Sequence, residues 1–331
     1  MKKILASQVV SRLIWPVIAL VLLLAVNAVI TPGFLSLEIK DGRVYGHLVD
    51  ILNQAVPIML LSVGMTLVIA TGGVDLSVGA VLAIGGSFAA YLITGYDMNM
   101  PAVLAFTLGL CVVAGAWNGV LVTVFEIQPI VSTLILLVAG RGIAQLITKG
   151  QIITFTDKEF SFVGNGYFMG LPFTITIFII VFAVTTLIMR FTSIRLFIES
   201  VGNNITASRY VGIQAGAVLI FVYAFSGLCS GVAGVIVASD IMAADANNAG
   251  LYSELDAILA VVIGGTALTG GRFSIIGSVV GALIIQTLTT TIRAQNIPVE
   301  YALVFKALAA LIVFLLQSNE FRRIFTRRRK T

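Results

Sequence analysis

The stretch ILNQAVPIMLLSVGMTLVIA (Ile51–Ala70), the link TGGVD (Thr71–Asp75) and the run LSVGAVLAIGGSFAAYLIT (Leu76–Thr94) together decide the class of this protein. Each flanking run approaches the roughly 20 apolar residues that a helix needs to cross the hydrocarbon of a bilayer. Neither alternates as a barrel strand would, so helices are the spanning element. Working outward on the same scale, spans fall near 14–31, 51–70, 76–94, 101–125, 127–147, 168–189, 213–237, 255–269, 274–292 and 299–317. Composition agrees. Hydrophobic residues make up 59% of the chain and charged residues 11%, with a mean hydropathy of +1.07. A soluble domain is about half apolar and a quarter charged, and this chain has too few polar groups to cover a soluble surface.

The expected fold is therefore an all-α, polytopic membrane helix bundle of about ten transmembrane helices. It forms one domain over residues 1–331, with spans between 13 and 317, a cytoplasmic loop at 190–212 and a basic tail at 318–331. Lys2, Lys3 and Arg12 precede the first apolar run as in a signal peptide. The uncharged run from Leu13 to Leu37 is longer than a signal core and lacks a clear small-residue cleavage site, so it counts as a span. Ten spans put both termini on one side. That side holds Lys2, Lys3, Arg12, Arg190, Arg195, Arg209, Arg272 and the cluster Arg322–Lys330, and the other holds Lys40, Arg43, Lys149, Lys158 and Arg293. The excess makes the first side cytoplasmic.

Span 255–269 is short and broken by Gly264, Gly265, Gly270 and Gly271. A half-helix and a short tilted helix fit it equally well. Gly115/Gly119, Gly227/Gly231 and Gly277/Gly281 stand at the small-xxx-small spacing that lets helix backbones approach in lipid, and they read as packing seams. Thr71-Gly-Gly and Thr269-Gly-Gly echo one another on the cytoplasmic side. Cys111 and Cys229 lie within apolar runs and read as buried thiols.

Catalytic signatures are missing from the sequence. There is no G-K-[ST] tripeptide, His47 is the only histidine, and no serine sits in G-x-S-x-G. No metal site, cofactor or nucleic-acid partner is expected, and any nucleotide that powers the protein must bind another subunit. Charges beside the spans matter more, because a charge in lipid is costly unless it meets partners or water. Asp75 suits the cap of a helix starting at Leu76 better than the alternative, a substrate contact. Arg141 and Lys306 could snorkel towards the interface, and Lys306 could instead pair with an acidic neighbour. In segment 190–212, Asn204 can cap a short helix that Gly212 ends in the left-handed conformation. Such a helix fits a groove on a partner as well as it fits a plain connector.

Four motifs carry a resemblance. Gly72-Gly73-Val-Asp75-Leu-Ser77-Val-Gly79 resembles a GGxDLSVG signature, and Gln128-Pro-Ile-Val-Ser-Thr133-Leu134 with Arg141-Gly142 resembles a P-x-I-x-T-L…R-G segment. Glu199 through Gly202-Asn203-Asn204, Ala207, Arg209 and Gly212-Ile213 is similar to a cytoplasmic G-x-N-x-x-A-A-R-x-x-G-I loop. Glu254-Leu-Asp256 leading to Gly264-Gly265 and Gly270-Gly271 is similar to an E-L-D-x-I-A-A-V-x-I-G-G…G-G motif. By these motifs, in order over about 50–315, the chain resembles the ribose-type and branched-chain amino-acid family of ABC importer permeases. Asp41-Gly-Arg43, Ile51-Leu-Asn53, Ala244–Leu251 and Gly271-Arg272-Phe273 lean towards its galactofuranose-type sugar branch. Phe273 stands where most members have glycine.

The resemblance implies an assembly that carries sugar across the bacterial inner membrane. Its partners are a cytoplasmic ABC ATPase, a second permease subunit in a heterodimer and a periplasmic sugar-binding protein. Glu199–Ile213 becomes the coupling element that docks on the ATPase, and Asp240, Asp245 and Glu254 become candidates for a binding-protein rim. A neutral sugar needs weak polar contacts, for which Asn53, Gln54, Asn118 and Gln128 are candidates, with Trp117 as a stacking face. The rivals are a permease for another pentose or hexose, an importer of branched-chain amino acids on the same scaffold, and an ion-coupled transporter using Asp75, Glu126 and Lys306.

Overall fold

The computed structural model describes residues 2–96, 98–295, 298, 301, 303–308 and 311. Among them, eight helices are long and apolar enough to cross a membrane. These are α1 (Lys2–Ile30), α2 (His47–Ala70), α3 (Val78–Tyr96), α4 (Met100–Thr123), α5 (Pro129–Thr148), α7 (Phe173–Phe191), α10 (Ala215–Ile241) and α12 (Ile275–Ala294). Between them lie four shorter helices: α6 (Lys158–Asn165), α8 (Ile194–Asn203), α9 (Ile205–Tyr210) and α11 (Ser253–Ile263). The eight long helices coincide with eight of the predicted spans. The span expected at 255–269 is an eleven-residue helix ending at Ile263, about 16 Å long at 1.5 Å per residue and too short to cross. That decides for a half-helix. The span expected at 299–317 lies largely outside the described residues, although Tyr301, residues 303–308 and Leu311 are helical.

The helices sort into an inner and an outer set. At least 61% of the apolar window is buried in α2, α3, α10 and α12, against at most 28% in α1, α4, α5 and α7. α10 is the hub, packed on α2, α3 and α4. The glycine seams explain how it fits. A Cβ on Gly115 would meet the Gly227 backbone at 3.0 Å as well as the carbonyl of Tyr223, and one on Gly119 would meet the Ile220 Cα at 2.6 Å. On the α3 side, Gly85 faces Gly231 and Gly86 faces Gly234. Gly277 and Gly281 of α12 likewise receive the α11 backbone at Gly264 and Ala260. Backbone-to-backbone packing gives dispersion contact where lipid supplies no hydrophobic drive for association.

Small elements close the end of the bundle where α2 begins. The hairpin β1 (Glu38–Lys40) with β2 (Arg43–Tyr45) turns at Asp41 and Gly42, both at positive φ. A second hairpin, β4 (Tyr167–Phe168) with β5 (Leu171–Pro172), turns at Met169 and Gly170 in the same way. The two meet where the Val44 amide donates to the Gly170 carbonyl (2.9 Å) and Arg43 lies over the Tyr167 ring. β3 (Ile153–Thr154) pairs with β6 (Ala243–Ala244) beside them.

Lys306 takes the pairing alternative. Its Nζ lies 2.7 Å from Asp256 Oδ2, with both side chains at most 15% exposed. Lys306→Met strands a mostly buried carboxylate, and we expect it to cost about 3 kcal/mol in detergent melting. Lys306→Met with Asp256→Leu should recover most of that, whereas additive losses would dismiss the pair as a stabilising contact.

Candidate functional site

At the opposite end from the hairpins, α2 stops at Ala70 and the chain folds back into the bundle before α3. Gly72 allows the reversal at φ 84°, in the left-handed region that glycine adopts without strain. The link buries Asp75, which is 1% exposed. Asp75 Oδ1 accepts from the Ser77 amide (3.0 Å) and the Ser77 hydroxyl (2.6 Å), and Oδ2 accepts from the Ser226 hydroxyl of α10 (2.8 Å). The carboxylate thus acts on the start of α3 as a cap would, two residues later than Leu76. Asn118 of α4, fully buried, donates to the Ser77 hydroxyl (2.9 Å) and accepts from Ser132 of α5 (3.4 Å). Thr133 donates to the Val74 carbonyl (3.2 Å). The Tyr223 hydroxyl faces Gly73, where a Cβ would come within 2.5 Å. One buried polar knot therefore ties the α2–α3 link to α4, α5 and α10, and it leaves Asp75 and Asn118 no face for a solute.

Sequence reasoning found Asp75, Ser77, Asn118 and Thr133 but missed Ser132, Ser226 and Tyr223. These three carry no charge and lie in apolar runs, so nothing in their spacing links them to a carboxylate up to 151 positions away.

The echoing Thr-Gly-Gly links meet beside the knot, and α8 sits on both. The Gly271 amide donates to the Ala70 carbonyl (2.8 Å). Gly202 of α8 packs so closely there that a Cβ would lie 2.5 Å from the Gly271 nitrogen and closer still to the Ala70 carbonyl oxygen. A Cβ on Gly271 would meet Asn203 Oδ1 at 2.7 Å, and one on Gly270 would meet the Gly202 carbonyl at 2.8 Å. Along α8, Arg195 Nε bonds Glu199 Oε1 (3.0 Å) and Asn203 bonds the Glu199 carbonyl (2.7 Å). Asn204 then caps α9 by accepting from the Ala207 amide (2.9 Å), and Gly212 ends that turn at φ 86°. Ala207 and Arg209 are exposed. So are Leu196 (64%), Tyr210 (88%) and Val211 (76%), a set of large apolar side chains on a segment with no length to enter a membrane.

At the hairpin end, the chain after α10 dips inwards. Arg141 of α5 holds this segment through the carbonyls of Ala246 and Ala249, and Gln145 bonds Asn247 (2.9 Å). Asp245 accepts from the Asn248 side chain and then from the amides of Asn247 and Asn248, and these bonds hold its carboxyl below the usual range. Gly250 then reaches Gly79 near the start of α3. Glu254 follows it inwards and is buried, its Oε2 lying 2.6 Å from where a Gly79 Cβ would be. Glu254 therefore leaves the rim proposed for it, because the half-helix begins inside the bundle. Asp240 remains exposed. Among the pathway candidates, Asn53 accepts from Thr174, Gln54 from Gln286 (3.2 Å), and Trp117 and Gln128 are exposed.

Known proteins match over nearly the whole chain. The family model described as "branched-chain amino acid transport system / permease component" covers residues 47–316. A galactofuranose transporter permease protein of Escherichia coli K12 is 49% identical over 94% of this chain and 92% of its own length. A fructose import permease protein of Bifidobacterium longum is 35% identical over 96% and 89%. A ribose import permease protein of Haemophilus influenzae is 37% identical over 90% of each. No solved structure gives a significant match. With a family model spanning most of the helices and such relatives along almost its full length, this chain belongs to the branched-chain amino acid transport system permease component family.

Proposed function

We propose that the chain is the membrane-spanning permease subunit of an ATP-driven sugar importer of the bacterial inner membrane, with galactofuranose as its substrate. The 49% identity to a galactofuranose transporter permease supports the substrate. It works with a cytoplasmic ATPase, a periplasmic sugar-binding protein and a second, different permease subunit. The cluster of basic residues at both ends and in segment 190–212 fits a cytoplasmic face for the end that carries α8 and α9. The observation that carries the reading is the α8–α9 surface. A short, capped element between two spans presents Leu196, Tyr210 and Val211 bare at the end opposite the hairpins, as an apolar anchor set does before it meets a groove. ATP binding and hydrolysis on the partner move this element, and the permeases alternate between inward- and outward-facing states. Sugar passes with weak contacts, for which the exposed Trp117 and Gln128 are the best placed candidates.

Detergent pull-down of the tagged chain from its native membrane tests this. A P-loop ATPase and a second permease should follow in fixed ratio. Tyr210→Glu with Val211→Glu should cut ATPase recovery by about tenfold, the effect of losing two interface anchors, without lowering permease levels. Recovery of the chain alone from a membrane that contains the ATPase would sink the proposal.

A further inference from the structure

Phe273 is the residue of the second Gly-Gly link that departs from glycine, and its ring has a specific neighbour. The Arg195 guanidinium lies 5.5 Å from the ring centroid, while Arg195 Nε is also bonded to Glu199 (3.0 Å). The cation is therefore held between a carboxylate on its own helix and an aromatic face on the link. Phe273 is buried, and Ser274 beside it caps α12 by accepting from the Gly277 amide (3.1 Å). The second fastener, Gly202 against Ala70 and Gly271, sits seven residues further along α8, about 10 Å away at 1.5 Å per residue. A helix held at one point can pivot about it. Held at two points this far apart, it cannot turn without moving what it is fastened to.

We infer that the Arg195–Phe273 contact and the Gly202 contact form a two-point clasp, and that Phe273 is a positioning residue for energy coupling. This rests on the reading of α8 as the ATPase-facing element. Through the clasp, one displacement of α8 reaches two helices at once. The Phe273–Ser274 step carries it to the start of α12, and the Ala70 carbonyl carries it to the Asp75 knot at the start of α3. With glycine at 273, α8 keeps the Gly202 pivot but loses control of its orientation, and part of each stroke is spent in rotation.

The test uses the intact complex, reconstituted with its ATPase, second permease and binding protein, and reads galactofuranose taken up per ATP hydrolysed. Phe273→Leu keeps an apolar side chain at the site and removes the aromatic face. It should lower the ratio by about fivefold, the scale of one half-buried cation–π contact, while the ATPase still co-purifies. Phe273→Tyr should restore the ratio to near the parent value. Arg195→Gln should match Phe273→Leu, and the double variant should be no worse than either single one. An unchanged ratio in Phe273→Leu, or additive losses in the double variant, overturns the clasp. Should Phe273→Leu fail to assemble, the Arg195→Gln ratio decides, since that surface change leaves the buried link intact. Failure of the docking reading is a different result, in which the Tyr210 and Val211 variants keep their ATPase.

Discussion

Asp75→Ala should leave almost no functional transporter, while Asp75→Asn keeps a large share of uptake. The carboxylate satisfies three donors inside the bundle, the Ser77 amide, the Ser77 hydroxyl and the Ser226 hydroxyl. Alanine strands all of them where water is absent, at a cost on the order of 3 kcal/mol. It also frees the Ser77 hydroxyl that receives Asn118, so the loss spreads to α4 and α5. Asparagine keeps Oδ1 for both Ser77 donors and turns its amide to Ser226, whose hydroxyl can donate back to its own helix. Uptake in vesicles, with membrane-inserted protein quantified in parallel, separates the two. Equal and severe losses in both variants would mean that the charge itself is needed, as the ion-coupled alternative demands.

Gly202→Ala should abolish uptake although it adds a single methyl group. The new Cβ would occupy space already filled by the Ala70 carbonyl oxygen and the Gly271 nitrogen, both backbone atoms. Neither can rotate away, so α8 must lift off the two links. Inserted protein should stay near parental levels, because the spans themselves are untouched, but uptake should drop at least tenfold, equivalent to about 1.4 kcal/mol of lost positioning. Gly212→Ala is the control. Nothing lies within 4 Å of its Cβ, so only its left-handed φ is strained, at about 1–2 kcal/mol in an exposed turn. If Gly202→Ala transports as well as Gly212→Ala, the close packing of α8 has no part in transport.

Eight of the expected spans were legible because long apolar runs in lipid admit one backbone solution. Asn204 and Gly212 were legible because capping is local chemistry, written within a few residues. Other features escaped for physical reasons. α1 reaches back to Lys2, beyond the apolar window, since a helix leaving the membrane needs no apolar side chains to continue. The hairpin at Asp41-Gly42 has the turn chemistry for its shape, but strands this short leave no alternation to read. The 168–189 span gave up its first residues to the Met169-Gly170 hairpin for the same reason. Asp75 stood out as a lone charge, yet its partners are two ordinary serines, Ser226 brought in by tertiary packing and Ser77 held in turn by Asn118. Glu254 was placed on a rim because the dip after α10 has no marker beyond glycine.

The glycines that seat α10 against α3 and α4 also decide how the bundle can move. A slide of one residue along that axis would drive a side chain into a carbonyl now faced by bare Cα hydrogens. The centre thus has detents rather than a smooth bearing, and α3, α4 and α10 travel as a single block. The stroke of a transport cycle must then be taken up as tilting between blocks, at the sparsely buried α1, α5 and α7 and the half-length α11.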